Sequence, residues 1–236
     1  MSMSWDVAIE RAKNAIMPKT YDVLTRYGYI QVLRNEVRKA REEVLKNLEF
    51  YIEEFRKSVE RVGGRFYFAE TGNEAVDIAV KIVGRGKIVV MGKNNVANET
   101  GLHQRLEEEG NEVWETDLGE FLVQIGDEDS SHILAPAIHL TRERVAQILK
   151  EKLGMAVPSD PVAIAQRVRE FLREKFIKAD VGITGANALA ADTGAVVLVE
   201  NEGNIRITTS FPPVHIVYDG VEKIVPTLIH ALYVAN

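Results

Sequence analysis

The sequence predicts an α/β fold, in which a mostly parallel, doubly wound sheet has helices on both faces and follows a long N-terminal helix. Three observations support this prediction. Apolar residues recur at helical spacing over residues 28–62. Strand-like and helix-like segments alternate from about residue 64 to residue 178. Closely spaced strand-like runs, separated by Gly, Asn and Pro, then fill the last third of the chain.

The first segment is predicted to be one continuous helix from about Gly28 to Val62, with charged side chains on its other faces and Gly63-Gly64 at its end. At 1.5 Å per residue it would be on the order of 50 Å long. Such a helix either packs along its own sheet or reaches a neighbouring subunit. We divide the chain into a helical segment, residues 1–63, and an α/β domain, residues 64–236.

The alternating region contains four short β-branched or aromatic runs, which we interpret as strands: RFYFA, KIVVMG, NEVWET and SHILAP. Helices are predicted to begin at the caps Thr71, Thr141 and Asp160, and a further helix, residues 97–110, is predicted to end at Gly110. Asp160 is followed by proline at the first helical position, which is typical of a helix start. Repeated βα units of this kind favour a parallel sheet.

The last third predicts a β-rich continuation of that sheet, with strands ADVGIT, AVVLVE, IRITT and VHIVYDG and a closing helix from Pro226 to about Tyr233. The intervening ENEGN stretch has the composition of a hairpin turn between AVVLV and IRITT. In a strand, Arg206 and Thr208 would share one face, where they could hold a carboxylate. A surface salt bridge beside an ordinary hairpin is the alternative.

The composition excludes several classes of function. The 236 residues carry a net charge of −6, so no basic field is present to attract nucleic acid or an anionic membrane surface. No cysteine is present, which excludes disulfides, cysteine nucleophiles and cysteine-bound clusters within these residues. We see no signal peptide and no apolar run of membrane-spanning length, so a cytoplasmic protein without a bound metal is expected.

Ligands of open α/β sheets bind outside the carboxyl ends of the strands, so functional side chains are expected directly after the predicted strands. Lys93 follows KIVVM and precedes a predicted helix that contains Glu99, an arrangement suited to an anionic group. An exposed lysine on a solvated helix start is the alternative. After the run EVW, Glu115, Asp117 and Glu120 could bind a cation, but a helix cap at Asp117 with a capping box completed by Glu120 is the simpler explanation.

Two further segments carry polar residues at predicted strand ends. His139 lies where SHILAP meets the next helix, as a candidate general acid or base or as a structural histidine. The stretch TGANALAADTGAVVLV places the small groups Asn187, Asp192, Thr193 and Gly194 around an apolar strand. It is neither a dinucleotide-binding glycine motif nor a phosphate-binding loop, since no GK[ST] occurs.

Five stretches together resemble one known family: KNNVANETGL, WETDLGE, SHILAPAIH, ADVGITGANALAADTGAVVLVENEGN and VEKIVPTL. They are similar, in the same order from roughly Tyr67 to Leu228, to the LUD-domain family of lactate-utilisation proteins. The closer similarity is to the branch whose larger members carry a ferredoxin-like iron–sulfur domain after this one. The resemblance implies a Rossmann-like fold of the sugar-phosphate isomerase and CoA-transferase superfamily. It also implies a role in the oxidation of L-lactate to pyruvate as one subunit of an iron–sulfur system.

The family's motifs match ten positions of this chain: Lys93, Glu99, His139, Asn187, Thr193, Gly194, Glu200, Asn201, Glu202 and Asn204. Asp192 stands where members of the family often have glutamate. From these positions we take His139, Lys93 and Glu202 as catalytic candidates. The candidates for binding a small 2-hydroxy or 2-oxo carboxylate are Glu99, Asn187, Asp192, Thr193, Gly194, Asn201, Asn204, Arg206 and Thr208.

Because the chain contains no cysteine, we expect no iron–sulfur cluster on it, and any redox cofactor would belong to a partner such as an iron–sulfur lactate-utilisation subunit. The leading hypothesis is a component of an L-lactate dehydrogenase complex. A non-catalytic subunit or regulator that docks a redox partner is the first alternative, and a sugar-phosphate or acyl-CoA enzyme is the second. A homo-oligomer joined through the N-terminal helix also stays open.

Overall fold

A computed structural model describes residues 5–127 and 137–236. Its N-terminal part contains α1 (Trp5–Arg26), α2 (Tyr29–Lys46) and α3 (Leu48–Arg61). The prediction of one uninterrupted helix over residues 28–62 is therefore wrong, because Asn47 leaves the helical conformation at φ −132°, ψ 42°. Its side-chain amide donates to both the backbone and the side chain of Glu43. Asparagine breaks helices in this way because its side chain competes for backbone hydrogen bonds.

The helices of the remaining described chain are α4 (Gly72–Val83), α5 (Asn95–Thr100), α6 (Leu102–Glu108), α7 (Leu118–Gly126), α8 (Arg142–Leu153), α9 (Pro161–Lys178), α10 (Asn204–Ser210) and α11 (Leu228–Ala235). The strands are β1 (Ile88–Met91), β2 (Glu112–Glu115), β3 (Val181–Thr184), β4 (Ala188–Ala190), β5 (Val196–Val197), β6 (Val214–Val217) and β7 (Ile224–Val225). The caps predicted at Thr71, Thr141 and Asp160 are confirmed, since each side chain accepts a hydrogen bond from the first turn of its helix. Within the described residues no helix combines the length and apolar character that a membrane crossing needs.

The main sheet has the strand order β2-β1-β3-β6, and every neighbouring pair in it is parallel. Helices cover both of its faces, as the alternation of side chains along β1 makes plain. Val90 packs into one core with α7, α8 and α9, whereas Val89 and Met91 pack into another with α4, α5 and α6. The predicted α/β fold with a parallel, doubly wound sheet is therefore confirmed.

The last third of the chain does not simply extend that sheet, and this expectation is wrong. Strands β4, β5 and β7 form a separate small sheet in the order β5-β4-β7, and only β3 and β6 join the main one. The small sheet buries Leu189 and Ile224 against Phe55 of α3 and Val44 of α2. Burial of this apolar face is what attaches α2 and α3 to the rest of the chain. The division into residues 1–63 and 64–236 stays a prediction.

Three local predictions also differ from the structure. RFYFA is not a strand: Phe66 packs edge-on against Phe55 at 6.0 Å between ring centroids, while Tyr67 and Phe68 are exposed. The helix predicted for residues 97–110 is divided at Gly101, whose φ of +71° ends α5 and begins α6. IRITT belongs to the helix α10, so the predicted hairpin is wrong. SHILAP lies outside the described residues.

Candidate functional site

The topology of the main sheet marks one place where a ligand would bind. The chain moves from β1 to β2 on one side and to β3 and β6 on the other, so the switch point lies between β1 and β3. In open α/β sheets the crevice outside the carboxyl ends of the strands at this point is the usual ligand site. Lys93 and Asn94 follow β1 there, and Gly185 follows β3. We call this region the carboxyl edge.

Helix α10 lies across the strands beside this edge because two glycines leave room for it. A Cβ atom at Gly182 of β3 would overlap the carbonyl oxygen of Thr208, and one at Gly92 would overlap the terminal methyl of Ile205. Thr208 is fully buried by this approach. The close packing of α10 places the residues at its beginning next to the loops that follow β1 and β2.

The beginning of α10 also explains the polarity of ENEGN in purely local terms. Gly203 adopts φ +79°, and Glu200 reaches over it to accept a hydrogen bond from the Arg206 backbone N–H at 2.9 Å. The Arg206 guanidinium lies 2.7 Å from the other Glu200 oxygen. Arg206 is largely exposed and Thr208 is buried, because residues two apart on a helix point in nearly opposite directions. The shared face predicted for these two side chains is therefore wrong.

Lys93 forms the centre of a group of ionisable side chains at the carboxyl edge. Its ammonium nitrogen lies 3.7 Å from the carboxyl of Glu120, a buried residue of α7. Asp117 caps α7 by accepting from the N–H groups of Gly119 and Glu120, so the predicted cap is confirmed, whereas the Glu120 carboxyl faces Lys93 and does not complete a capping box. The pKa of Glu120 is raised, first by burial and then by the charge of Glu115, and Lys93 opposes this shift.

Glu202 and Asn204 join this group from the start of α10. The Asn204 side chain donates to the Thr116 hydroxyl at 3.3 Å, and that hydroxyl donates to the carbonyl of Met91 at 2.8 Å. Glu202 lies at the surface, but partial desolvation and the nearby Asp117 raise its pKa, although the Leu118 N–H partly offsets them. The structure thus brings three of the predicted residues, Lys93, Glu202 and Asn204, to one edge of the sheet.

Electrostatics decide what this edge can bind. Glu115 and Glu120 both interact with the single ammonium group of Lys93, and Asp117 adds its negative charge beside Glu115, Glu120 and Glu202. The pKa values of Glu115, Glu120 and Glu202 are raised, so each of these groups takes up a proton more readily than an ordinary carboxyl group. A neutral carboxyl group donates a hydrogen bond, so an anion can bind at Lys93 if protons are taken up with it.

Asn187 and Thr193 have structural contacts in the small sheet. Asn187 donates its N–H to the carbonyl of Val197 at 2.9 Å and accepts from the N–H of Val199 through its side chain at 2.7 Å. Thr193 accepts from the N–H of Ala195 in the turn between β4 and β5. Both residues therefore shape the β4–β5 hairpin.

Asp192 and Gly194 hold that hairpin against the helices. The Asp192 carboxyl accepts from the N–H of Leu228 at the start of α11, and its backbone carbonyl accepts from Arg61 of α3. Gly194 has φ +72°, and a Cβ atom there would lie 2.8 Å from the Ser58 backbone. Only glycine fits this approach of backbone to helix without strain.

The other predicted residues lie apart from these contacts. Glu99 is exposed on α5, and Asn201 is exposed two residues before Gly203. His139 is buried in the turn that leads into α8. Within the described residues, no group of three or more histidine or acidic side chains has an arrangement that could hold a metal ion.

Sequence reasoning missed Asp219 and the pair His103–Glu115. Asp219 follows β6 and accepts from the N–H groups of Gly220 and Ala186, and burial raises its pKa. It follows VHIVY as directly as Lys93 follows KIVVM, so the same strand-end rule could have found it. No sequence signal pairs His103 with Glu115, because their 3.0 Å contact depends on how α6 packs on β2.

Comparison with known proteins identifies the family of this chain. The family profile of the LUD domain matches residues 52–236, from α3 to the last residue. The chain belongs to the LUD domain family. The matched range includes both sheets and the whole carboxyl edge, so the LUD domain here comprises everything described above except α1, α2 and the first residues of α3.

Several curated relatives contain this LUD domain within longer chains. Lactate utilization protein B of Bacillus subtilis (strain 168) is 39 % identical over 223 residues, which is 93 % of this chain and 47 % of the relative. The protein of that name from Bacillus licheniformis is 38 % identical over the same shares. The uncharacterized electron transport protein YkgF of Escherichia coli (strain K12) is 36 % identical over 222 residues, again 93 % and 47 %. The chain thus spans about half the length of these relatives, and no solved structure matches it.

Proposed function

We propose that this LUD-domain chain takes part in lactate utilisation in the cytoplasm, by binding a small 2-hydroxy or 2-oxo carboxylate at its carboxyl edge. The observation that carries the proposal is the 39 % identity over 93 % of the chain to a lactate utilization protein B. Because these residues contain no cysteine, this proposal assigns the redox centre to an iron–sulfur partner.

Lys93 is the proposed contact for the ligand carboxylate. It lies at the switch point of the sheet, partly buried, with Glu120 as its ion-pair partner within the described residues. Arg206, the other candidate, is largely exposed and already faces the carboxyl of Glu200. A partly buried cation binds a carboxylate more strongly than an exposed one, since water screens the exposed charge.

Oxidation of a 2-hydroxy acid to a 2-oxo acid releases two protons and two electrons. In this proposal the two electrons and the hydrogen on C2 leave to the partner's redox centre, and the hydroxyl proton passes to a side chain of this chain. Glu202 suits that role, because its raised pKa brings a carboxyl closer to the pH at which it exchanges protons readily. His139, which lies apart from the carboxyl edge, is the second candidate for the same proton, and the proposed role of Asn204 beside Thr116 is to orient the ligand oxygen.

One observation favours a second candidate function, a non-catalytic subunit that docks the redox partner. An open groove runs between α2 and α11, with a floor of Ile30, Leu33, Val37 and Leu45 and with arginines along its side. Leu45 is 70 % exposed. Apolar floors with charged sides are typical of surfaces that receive a helix of another protein. In this case the chain would co-purify with a cysteine-rich partner and bind no small carboxylate.

Isothermal titration calorimetry with pyruvate and with L-lactate tests the proposal. Lys93→Gln should weaken binding by roughly tenfold or more, because a hydrogen bond to a charged group contributes about 1.5–3 kcal/mol. Lys152→Gln is the matched control, since Lys152 also pairs with an acidic residue next to α7, Asp127, but at the far end of that helix. Wild-type affinity in the Lys93 variant would refute the assignment.

Two further titrations separate the alternatives. Arg206→Ala should leave pyruvate binding unchanged, and a loss there would move the carboxylate to Arg206. Sugar phosphates or CoA esters that bind in place of pyruvate would favour an enzyme of the wider superfamily.

A further inference from the structure

Behind the Lys93–Glu120 pair, buried ionisable groups continue away from the carboxyl edge towards α6. Glu115, at the end of β2, interacts electrostatically with both Glu120 and Lys93. Its carboxyl oxygen also lies 3.0 Å from Nδ1 of His103 on α6. Glu115 is buried, so little solvent screens its charge from either neighbour. The proposed carboxylate contact uses neither Glu115 nor His103.

The second ring nitrogen of His103 has a partner for each protonation state. Nε2 lies 3.3 Å from the side-chain nitrogen of Gln124 and 3.3 Å from a carboxyl oxygen of Glu107. The orientation of the Gln124 amide is defined, because its nitrogen donates to Val113 and its oxygen accepts from the Glu115 N–H. Neutral His103 can therefore accept from Gln124, whereas the imidazolium donates to Glu107.

We propose that His103 is a positioning residue of the carboxyl edge, whose proton offsets the charge of Glu115 and so leaves Lys93 available to an anionic ligand. The positive charges of the His103 imidazolium and of Lys93 together balance the negative charges of Glu115 and Glu120. When His103 is neutral, both carboxylates compete for the single charge of Lys93, and an added anion is repelled. The choice of a small carboxylate as that anion rests on the function proposed above.

The groups that face this network come from four parts of the fold. They are Glu107 on α6, Glu115 and Asp117 at the end of β2, Glu120 on α7, and Lys93 after β1. Burial lowers the pKa of His103, but Glu115 and Glu107 outweigh it, so the net shift is upward. Pyruvate affinity is therefore expected to fall as the pH rises past the ordinary histidine range of about 6.5.

The binding arm of the test is calorimetry with pyruvate from about pH 6 to about pH 9. Wild-type affinity should fall across this range by about fivefold, the order expected for one charge acting through a partly buried network. His103→Gln should already bind weakly near neutral pH. His230→Gln is the matched control, because it makes the same change at a histidine of α11, which contacts the N-cap Thr227. Glu107→Gln should move the fall to lower pH, since it removes one of the charges that stabilise the imidazolium.

The ligand-free arm follows the side chains directly by NMR. Imidazole nitrogen shifts should show that Glu115→Gln lowers the pKa of His103, and carboxyl carbon shifts should show that His103→Gln raises the pKa of Glu115. Unchanged titrations in both variants would overturn the inference, as would His103→Gln binding pyruvate with the wild-type affinity and pH profile. If the wild-type chain binds no pyruvate at any pH, the proposed function fails, and the titrations alone decide the role of His103.

Discussion

Replacement of Gly182 by alanine tests the packing that places α10 beside the carboxyl edge. The added Cβ would overlap the carbonyl oxygen of Thr208 and would lie 3.1 Å from its carbonyl carbon and 3.2 Å from Cγ of Pro212. Carbon atoms in good contact are about 3.5–4.0 Å apart. Two of the three obstacles are backbone atoms and the third belongs to a ring, so no side-chain rotation relieves the overlap. Helix α10 must move off β3 by roughly 1 Å or more.

The cost of that movement follows from the burial of the site. Gly182 and Thr208 are both buried, and Ile207 of the same helix packs against the core formed by α7, α8 and α9. Overpacking in such places costs typically about 1–3 kcal/mol, and the backbone overlap puts this variant at roughly 2–3 kcal/mol. For a chain of this length, each kcal/mol lowers the melting temperature by about 2–4 °C. We therefore expect the melting temperature of Gly182→Ala to be lower by roughly 4–12 °C.

Thermal unfolding followed by circular dichroism measures this change. Gly28→Ala is the matched control, because a Cβ atom there has nothing within 4 Å and the residue already has right-handed helical φ and ψ. The displaced α10 should also weaken pyruvate binding, since Asn204 moves away from Thr116. A Gly182→Ala chain as stable as the control would refute the argument that α10 depends on this glycine.

Two further predictions concern stability. Phe55→Ala should lower the free energy of unfolding, measured in urea, by about 3–5 kcal/mol, because Phe55 is 6 % exposed and packs on Phe66. Phe50→Ala on the same helix is the control and should cost far less, because Phe50 is 58 % exposed. Equal losses of stability in the two variants would contradict the packing of α3. Asp180 accepts from the Ile88 N–H, which holds its pKa below the usual range, so its contribution is present above about pH 4 and is lost as the pH falls through the lowered pKa. Asp180→Ala should therefore lower the free energy of unfolding by no more than about 1 kcal/mol near pH 7, since the carboxyl is partly exposed, and by less near pH 3. An equal loss of stability at both pH values would show that the charge of Asp180 is not involved.

Local signals account for what the sequence predicted correctly. A side-chain cap such as Thr71 or Asp160 acts on N–H groups only three residues away, so the residues that decide it are adjacent in the chain. The β-branched run at Ile88–Met91 is similarly self-contained, since both faces of a central parallel strand are buried. These helix starts and this strand, and the parallel sheet that they imply, can therefore be predicted from residues that are close together in the chain.

IRITT shows where local reasoning fails. Its alternation of apolar and polar residues is typical of a strand, yet it forms a helix because the Glu200 carboxyl caps its first turn and two glycines, Gly92 after β1 and Gly182 in β3, leave space for its approach. RFYFA fails for the converse reason, since no strand lies beside it and Phe66 is used to dock against α3. Intrinsic β propensity is too weak to outweigh such tertiary contacts.

By itself the sequence determined the fold class, the absence of cysteine chemistry from these residues, the principal helix caps and the position of Lys93 after a buried strand. Only the tertiary structure decided that Lys93 faces Glu120, that Glu202 and Asn204 reach the same edge, and that His103 lies behind it against Glu115. The physical reason is that these contacts depend on the strand order β2-β1-β3-β6 and on the room left at two glycines. Neither the strand order nor the space beside these glycines is determined by residues that are adjacent in the chain.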